Sequence, residues 1–282
     1  MQIIETVAAL RSALKHQSHI TLVPTMGNLH AGHLHLVALA KQQASCVVVS
    51  IFVNPLQFGA NEDLANYPRS LEADCEKLDA AGVDIVFAPS VIEMYPQFDG
   101  KHLNQTMTVT APAIANELCG ASRPGHFSGV ATVVAKLFNI VMPQLAVFGK
   151  KDFQQLHIIR ALVQQFNLPI TIVAGDTIRE HNGLAMSSRN SFLSADQKNT
   201  AAQLQQELNA IKLQIQHGST DFNALILAAT ERLQPSGWLV DYISVRSALS
   251  LAPATTQDQS LVILAAAKLG NTRLIDNVDL LR

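Results

Sequence analysis

Short apolar stretches rich in β-branched residues alternate along this chain with longer segments whose apolar residues recur every three or four positions. The apolar stretches predict strands at 20–23, 46–53, 83–87, 145–148 and 170–173. The periodic segments predict helices at 6–15, from the turn at 24–33 to about 43, and at 70–78, 130–141 and 153–166. Because strands and helices alternate through about residue 175, we expect an α/β fold with a Rossmann-like parallel sheet.

The pattern changes after residue 175. A polar turn region covers 177–190, helices are predicted at 194–216 and 222–233, and further strands are predicted at 238–245, 260–266 and 272–278. The connections between these last strands are too short for a helical crossover, which excludes parallel pairing. We therefore expect two domains, a Rossmann-like domain at 1–175 and a smaller C-terminal α+β lid domain at 176–282. Between 88 and 129 only residues 106–110 alternate like an exposed strand.

Composition narrows the class of protein. The 282 residues are 48% hydrophobic with a formal net charge of −2, so the chain has no basic surface signature for nucleic acid or for a membrane. Its apolar runs are far too short to span a bilayer, and the first residues lack a basic stretch followed by an apolar one. The three cysteines are widely spaced and fit neither a disulfide framework nor a zinc site. We expect a cytoplasmic protein.

The turn after the first long strand, 24–33, has the sequence Pro-Thr-Met-Gly-Asn-Leu-His-Ala-Gly-His. Gly27 and Gly32 let the backbone approach a ligand closely, and the following helix start offers N–H groups to an anion. His30 and His33, three positions apart, would point to one side and can donate to phosphate oxygens. Neither Gly-x-Gly-x-x-Gly nor a P-loop occurs in the chain, so the sequence predicts a phosphate site of another kind.

Other polar clusters fall at strand ends or in the 177–190 region: Asn54 with Gln57, Lys150 with Lys151, Asp152 and Gln155, and Ser187 with Ser188 and Arg189. In a parallel sheet the first two clusters meet the histidines along one edge, and the third can close over them from the domain junction. Lys151 and Arg189 would neutralise charge on transferred phosphoryl oxygens. Singly, loop lysines are usually solvated and Ser-Ser-Arg-Asn is common turn composition. Only their joint placement favours a polyphosphate cleft.

Long motifs in a fixed order then identify a family. They are the 24–33 turn, Val-Ser-Ile-Phe-Val-Asn-Pro-Leu-Gln-Phe-Gly at 49–59, Tyr-Pro-Arg at 67–69, Arg-Pro-Gly-His-Phe-Ser-Gly-Val at 123–130, Phe-Gly-Lys-Lys-Asp-Phe-Gln-Gln-Leu at 148–156, Gly-Leu-Ala-Met-Ser-Ser-Arg-Asn at 183–190, Asp-Tyr at 241–242 and Thr-Arg-Leu-Ile-Asp-Asn at 272–277. With these motifs the chain resembles, over essentially its whole length, the pantothenate synthetase family, the pantoate–β-alanine ligases of the nucleotidylyltransferase-like superfamily.

The resemblance implies an ATP-dependent, AMP-forming ligation. ATP adenylates the carboxylate of (R)-pantoate, and β-alanine then attacks the pantoyl adenylate to give pantothenate, because a mixed anhydride divides one difficult step into two accessible ones. The resemblance also implies Mg²⁺ with the triphosphate and a homodimer.

The site residues implied by the resemblance are as follows. The catalytic residues are His33, as the proton donor, with His30 and Lys151. Pantoate binds Gln57 and Gln155, β-alanine binds Gln57, and Asp74 is a candidate metal ligand. The ATP-binding residues are Met26, Gly27, Asn28, Leu29, His30, Ala31, Gly32, His33, Gly149, Lys150, Lys151, Asp152, Ile178, Met186, Ser187, Ser188 and Arg189.

The chain departs from the family pattern at three positions. Lys150 stands where the family commonly has glutamate, Cys119 where some relatives carry glutamate, and Ala73 where others have an acid beside Asp74. We expect the lysine to alter ATP affinity while activity is retained. Two alternatives stay open: a nucleotidyltransferase that acts on a phosphorylated acceptor, and a catalytically silent nucleotide-binding protein.

Overall fold

The computed structural model describes residues 1–59, 64 and 70–282, and its chain divides into two compact units. Unit 1 consists of Met1–Lys150 and Gln155–Asp176, and unit 2 consists of Lys151–Gln154 and Thr177–Arg282. The Tyr-Pro-Arg motif at 67–69 lies outside the described residues. Within the described residues, no helix has both the length and the apolar character needed to cross a membrane.

In its described part, unit 1 is a parallel six-stranded sheet with the strand order β1-β4-β3-β2-β5-β6. The strands are β1 (Gln2–Ile4), β2 (Ile20–Thr25), β3 (Cys46–Ile51), β4 (Ile85–Phe87), β5 (Leu145–Gly149) and β6 (Thr171–Gly175). The helices are α1 (Val7–Leu14), α2 (Ala31–Lys41), α3 (Leu71–Ala80), α4 (Val91–Met94), α5 (His126–Val141) and α6 (Phe153–Gln165). The predicted Rossmann-like fold is confirmed. Since β2 lies between β3 and β5, the loops that follow these three strands are neighbours at the carboxyl edge.

The almost continuous apolar run of β3 has a direct structural reason. Val48 packs into a core that α1, α5 and α6 cover, whereas Val47 and Val49 pack on the opposite face against α2 and α3. All three valines are completely buried. A strand covered on both faces needs apolar side chains at successive positions, which explains why alternation is absent here.

Unit 2 contains helices α7 (Ala195–Gln216) and α8 (Phe222–Leu233) and the antiparallel strands β7 (Trp238–Ser247), β8 (Ser260–Leu269) and β9 (Thr272–Leu281). The helix predicted from residue 194 is α7, and Ser194 is its N-cap. The Ser194 hydroxyl accepts from the Gln197 backbone N–H, and the Gln197 side chain accepts from the Ser194 backbone N–H. Leu208 and Ile211 of α7 share a buried core with Ile263 of β8. The α+β character expected for this region is confirmed.

One strand prediction was wrong, and one strand was missed. Residues 106–110 form no strand, because the Val109 N–H is bonded by the Thr132 hydroxyl of α5 (2.9 Å) instead of by a neighbouring strand. The sequence carries no signal for β1, whose three residues are too few to show a pattern and which lies at the edge of the described sheet beside β4. In addition, α5 begins four residues earlier than predicted, directly after Gly125 in the left-handed region (φ +79°).

Candidate active site

The start of α2 carries the histidine pair found in the sequence. His30 is the N-cap of the helix, and its Nδ1 accepts from the Gly32 backbone N–H at 3.1 Å. The Nδ1 of His33 accepts from the His30 backbone N–H at 3.3 Å, which makes a reciprocal capping box from two imidazoles. The two ring centroids are 4.1 Å apart. The cap therefore holds both rings side by side at the positive end of the helix dipole.

This cap also determines where the ring protons lie. A backbone N–H can only donate, so the Nδ1 atoms that receive one must be acceptors. In a neutral imidazole the proton is then on Nε2. The backbone of the helix thus fixes each of the two rings, His30 and His33, in one tautomer, with the proton on Nε2.

The loop before this helix is held by the carboxylate of Asp74 in α3. Its Oδ2 accepts from the Asn28 N–H at 2.7 Å and its Oδ1 from the Leu29 N–H at 2.8 Å, while the whole residue is buried. Gly27 and Asn28 both adopt positive φ values, +83° and +53°, a conformation that side chains other than glycine and asparagine disfavour. The carboxylate therefore fixes a backbone shape that the loop sequence alone would not maintain.

Asp74 was predicted as a candidate metal ligand, and the structure shows a different set of contacts. Besides the two backbone N–H groups, its carboxylate accepts from the Ser70 hydroxyl at 3.2 Å and lies 3.8 Å from the Lys77 ammonium. Ser70 precedes α3 as expected, but its side chain makes no capping bond. Among the described residues, no three His, Cys, Asp or Glu side chains come together as a metal site. A metal role for Asp74 stays a prediction.

Gln57 follows β3 at the end of a short 3₁₀ helix, Pro55–Gln57, and it is buried. Its Nε2 donates to Met26 Sδ at 3.2 Å, which brings the predicted pantoate residue into contact with the first residue of the predicted ATP segment. Its Oε1 accepts from Asn54 Nδ2 at 3.0 Å. Two predicted clusters, one after β2 and one after β3, therefore meet through direct side-chain contact.

The backbone of Gln57 is held by a second pair of residues. His126 Nδ1 lies 2.8 Å from the Gln57 carbonyl oxygen, and Arg123 Nη1 lies 2.9 Å from His126 Nε2. A guanidinium only donates, so Nε2 is the acceptor and Nδ1 carries the proton given to Gln57. Both residues lie in the 123–130 motif, for which no role was predicted. Their three-residue spacing was visible, whereas the contact with Gln57, 69 positions away, was not.

The cluster after β5 occupies a 3₁₀ turn, Lys150–Asp152, and the first turn of α6. The Lys150 ammonium lies 2.7 Å from Asp176 Oδ1, directly after β6. The hydrogen bond and charge of this lysine lower the pKa of Asp176. The unusual Lys150 thus forms an ion pair with the end of the neighbouring strand. Gln155, in α6, is half-buried.

Unit 2 contains the remaining predicted ATP residues in a compact turn. The Met186 N–H donates to the Ile178 carbonyl at 2.9 Å, and Arg179 pairs with Ala185 across the turn. Arg179 makes a bidentate ion pair with the buried Asp276 of β9, at 2.6 and 2.9 Å. Such fork geometry is among the strongest protein ion pairs, so it anchors the turn to the sheet.

The end of that turn is ordered locally. The Ser187 hydroxyl accepts from the Arg189 N–H at 3.2 Å and starts the 3₁₀ helix Ser188–Phe192, while the Arg189 side chain is exposed. The adjoining strand β9 also holds Lys151, because Asn277 Nδ2 donates to the Lys151 carbonyl at 2.8 Å. The backbone of Lys151 and the 178–189 turn are therefore supported by two consecutive residues, Asp276 and Asn277.

The structure thus assembles the predicted residues in two groups. Unit 1 joins the segment Met26 to His33 with Gln57, and it also contains Gly149, Lys150 and Gln155. Unit 2 contains Lys151, Asp152, Ile178 and the residues Met186, Ser187, Ser188 and Arg189. Each group is ordered by its own hydrogen bonds.

Comparisons with known proteins agree on one family. A family model described as pantoate-beta-alanine ligase matches residues 2–279. The pantothenate synthetase of Methylobacillus flagellatus is 62% identical over 279 residues, covering 99% of this chain and 98% of the relative. The crystal structure of pantothenate synthetase from Thermus thermophilus matches with a TM-score of 0.92 at 41% identity, over 99% of both chains. That of the pantoate-beta-alanine ligase from Francisella tularensis, complexed with beta-gamma ATP and beta-alanine, matches with a TM-score of 0.81 at 34% identity, over 99% of this chain and 97% of that one.

Proposed function

The chain belongs to the pantoate-beta-alanine ligase family, and we propose that it condenses pantoate with β-alanine to pantothenate in an ATP-dependent, AMP-forming reaction. The observation that carries the proposal is the double-histidine cap of α2, which fixes two imidazole rings in one tautomer at a helix N-terminus. A helix N-terminus with convergent N–H donors is suited to phosphate. The family match supplies the identity of the other two substrates.

In the first step a pantoate carboxylate oxygen attacks the α-phosphorus of ATP. A C–O–P bond forms, the bond to the β-phosphate bridging oxygen breaks, and pyrophosphate leaves with the electron pair. ATP enters as its magnesium complex, with the metal held by the triphosphate as part of the substrate. The loop from Met26 to Leu29 and the cap residues His30 and His33 bind the nucleotide. A hydrogen bond from the Nε2–H of His33 stabilises the charge that develops on the phosphoryl oxygens.

In the second step the amine of β-alanine, after losing a proton from its ammonium form, attacks the acyl carbon of the adenylate. A C–N bond forms and the C–O bond to phosphate breaks, so AMP leaves with one oxygen that came from pantoate. A carboxylate is a poor electrophile, whereas the mixed anhydride has a good leaving group. Gln57 and Gln155 bind pantoate through their amides, and Gln57 also contacts β-alanine.

Unit 2 contributes the remaining groups. Lys151 and Arg189 supply positive charge to the phosphoryl oxygens, and Ile178, Met186, Ser187 and Ser188 complete the nucleotide site. What supports these roles is the local order of the 178–189 turn, which the Arg179–Asp276 ion pair anchors to β9. We propose that this unit acts as a lid that excludes water from the adenylate, since hydrolysis would waste the activated intermediate. A homodimer in the cytoplasm is proposed from the family resemblance.

The function is tested by AMP formation with purified protein, ATP, magnesium, pantoate and β-alanine, with each substrate omitted in turn. AMP formation is expected to need both pantoate and β-alanine. A His33→Asn variant keeps a side-chain acceptor for the His30 N–H but lacks the imidazole Nε2–H that stabilises the phosphoryl oxygens, and we expect kcat to fall by about 10²- to 10³-fold. His35→Ala, two residues along the same helix, is the matched control. AMP formation without pantoate, or an unchanged His33→Asn rate, would contradict the proposal.

A further inference from the structure

We propose that Tyr95 is a positioning residue for substrate binding, whose hydroxyl holds Asn54 and through it sets the direction of the Gln57 amide. Gln57 then presents N–H donors, and the pantoate group that it contacts must be a hydrogen-bond acceptor. This inference rests on the proposed function, because it assumes that Gln57 binds pantoate. It concerns the described part of unit 1 only, and all three side chains are buried.

The orientation of Asn54 follows from what surrounds it. Its Oδ1 receives the Leu56 backbone N–H at 3.3 Å, and a backbone N–H can only donate. Its Nδ2 faces the Gly129 carbonyl oxygen at 3.2 Å, and a carbonyl oxygen can only accept. Exchanging the oxygen and the nitrogen of this amide would put donor against donor and acceptor against acceptor.

The direction of Gln57 is a consequence of that orientation. The second proton of Asn54 Nδ2 goes to the atom of Gln57 that lies 3.0 Å away, so that atom must be Oε1. The Gln57 Nε2 then points to the other side, where it meets Met26 Sδ at 3.2 Å. A thioether is a weak acceptor that a substrate oxygen readily replaces, so the Nε2 protons serve as donors for a ligand.

Tyr95 makes the shortest hydrogen bond in this chain of groups. Its hydroxyl donates to Asn54 Oδ1 at 2.6 Å from a ring that is completely buried. Burial raises the pKa of this phenol, so the hydroxyl keeps its proton across the working range of the protein. The ring packs near Phe52, and the Lys136 ammonium lies 5.3 Å from its centroid. A rigid ring thus delivers one donor to the oxygen that must stay an acceptor.

The chemical consequence concerns the substrates. An amide that presents N–H donors binds a carboxylate or a hydroxyl oxygen, whereas an ammonium group would meet a like donor. Gln57 therefore suits the carboxylate or hydroxyl groups of pantoate and the carboxylate of β-alanine, and it disfavours the β-alanine ammonium. The preference of Gln57 for a hydrogen-bond acceptor thus depends on the hydroxyl of Tyr95, 38 residues further along the chain.

The experiment compares wild type, Tyr95→Phe, Gln57→Ala and the double variant, by KM for pantoate, KM for ATP and kcat. Tyr95→Phe keeps the ring and its packing and removes only the hydroxyl. We expect its KM for pantoate to rise about threefold to tenfold, with little change in KM for ATP, since one buried hydrogen bond is lost. In the Gln57→Ala background the same change is expected to add nothing, because its effect is transmitted through Gln57.

Thr132→Val is the matched control. It removes another buried hydroxyl of unit 1, one whose partners are the Val109 N–H and the Ser128 carbonyl, and we expect lower stability with unchanged KM for pantoate. Equal rises in both KM values for Tyr95→Phe, or effects that multiply in the double variant, would overturn the inference. If wild type itself forms no AMP from pantoate, the proposed function fails instead, which separates the two failures.

Discussion

The clearest structural dependence is that of the Met26 to Leu29 loop on Asp74, and it can be tested with Asp74→Asn. The amide of this variant has the shape of the carboxylate but only one acceptor atom. Asn28 N–H and Leu29 N–H both point at the present carboxylate, at 2.7 and 2.8 Å. In the variant one of them faces an NH₂ donor, so a buried donor loses its partner.

The expected magnitude follows from these two bonds. Replacing a carboxylate acceptor by a neutral one weakens the first bond, and leaving the second N–H unpaired adds a desolvation penalty, together about 2–4 kcal/mol of unfolding free energy. The loop also relaxes from its positive φ values at Gly27 and Asn28. If re-forming it costs about 1.4 kcal/mol during ATP binding, KM for ATP rises about tenfold. KM for pantoate should change less, because Asp74 bonds the backbone of Asn28 and Leu29, whereas the Gln57 amide is held by Asn54 and Met26.

The assay pairs urea unfolding with initial rates at varied ATP. Asp79→Asn is the matched control on the same helix, since its carboxylate is largely exposed and pairs with the N-terminal amine at 3.4 Å. This surface pair should contribute about 1 kcal/mol or less. An Asp74→Asn protein with the stability and the KM for ATP of wild type would show that the carboxylate does not hold the Met26 to Leu29 loop. A fall in stability without a change in KM for ATP would show that the bonds support the fold only.

Two further predictions concern Gln57 and Lys150. In Gly129→Ala the new Cβ would lie 2.3 Å from the Leu56 oxygen and 2.8 Å from the Gln57 nitrogen. Neither backbone atom can move freely, so we expect a loss of about 1–3 kcal/mol in stability with a raised KM for pantoate, measured by urea unfolding and initial rates. In Lys150→Met the pKa of Asp176, which the lysine now lowers, should return towards its ordinary value, as an NMR titration of the carboxyl would show. A carboxyl with a lowered folded pKa stabilises above its unfolded pKa of about 4. The stability difference between this variant and wild type should therefore be present at neutral pH and vanish in acid, and a pH-independent difference would contradict the assignment.

Much of the fold could be predicted because its signals are local. The unbroken valines of β3 indicate a strand covered on both faces, and Ser194 with Gln197 marks the start of α7. The short connections among β7, β8 and β9 exclude parallel pairing. The sequence signal was weakest for two kinds of segment. The strand β1 is too short to show a pattern. At Val109 the backbone N–H donates to the Thr132 side chain instead of to a neighbouring strand.

The site was predictable to the extent that its residues sit in motifs. His30 and His33 could be found by their spacing, but their tautomers depend on which backbone N–H each Nδ1 accepts. Asp74 could be noticed only as an acid, whereas its contacts lie 45 and 46 positions away. Tyr95 carries no sequence signal, since only the fold brings it to Asn54. The catalytic and binding roles themselves stay predictions for the experiments above.

Activation of pantoate as an acyl adenylate can be followed with an isotope label. Pantoate labelled with ¹⁸O in both carboxylate oxygens is incubated with the protein, unlabelled ATP, magnesium and β-alanine, and the products are analysed by mass spectrometry. Attack of a carboxylate oxygen on the α-phosphorus, followed by acyl transfer to the amine, predicts one ¹⁸O in AMP and one in pantothenate. Unlabelled AMP, or label found in inorganic phosphate beside ADP, would contradict the account.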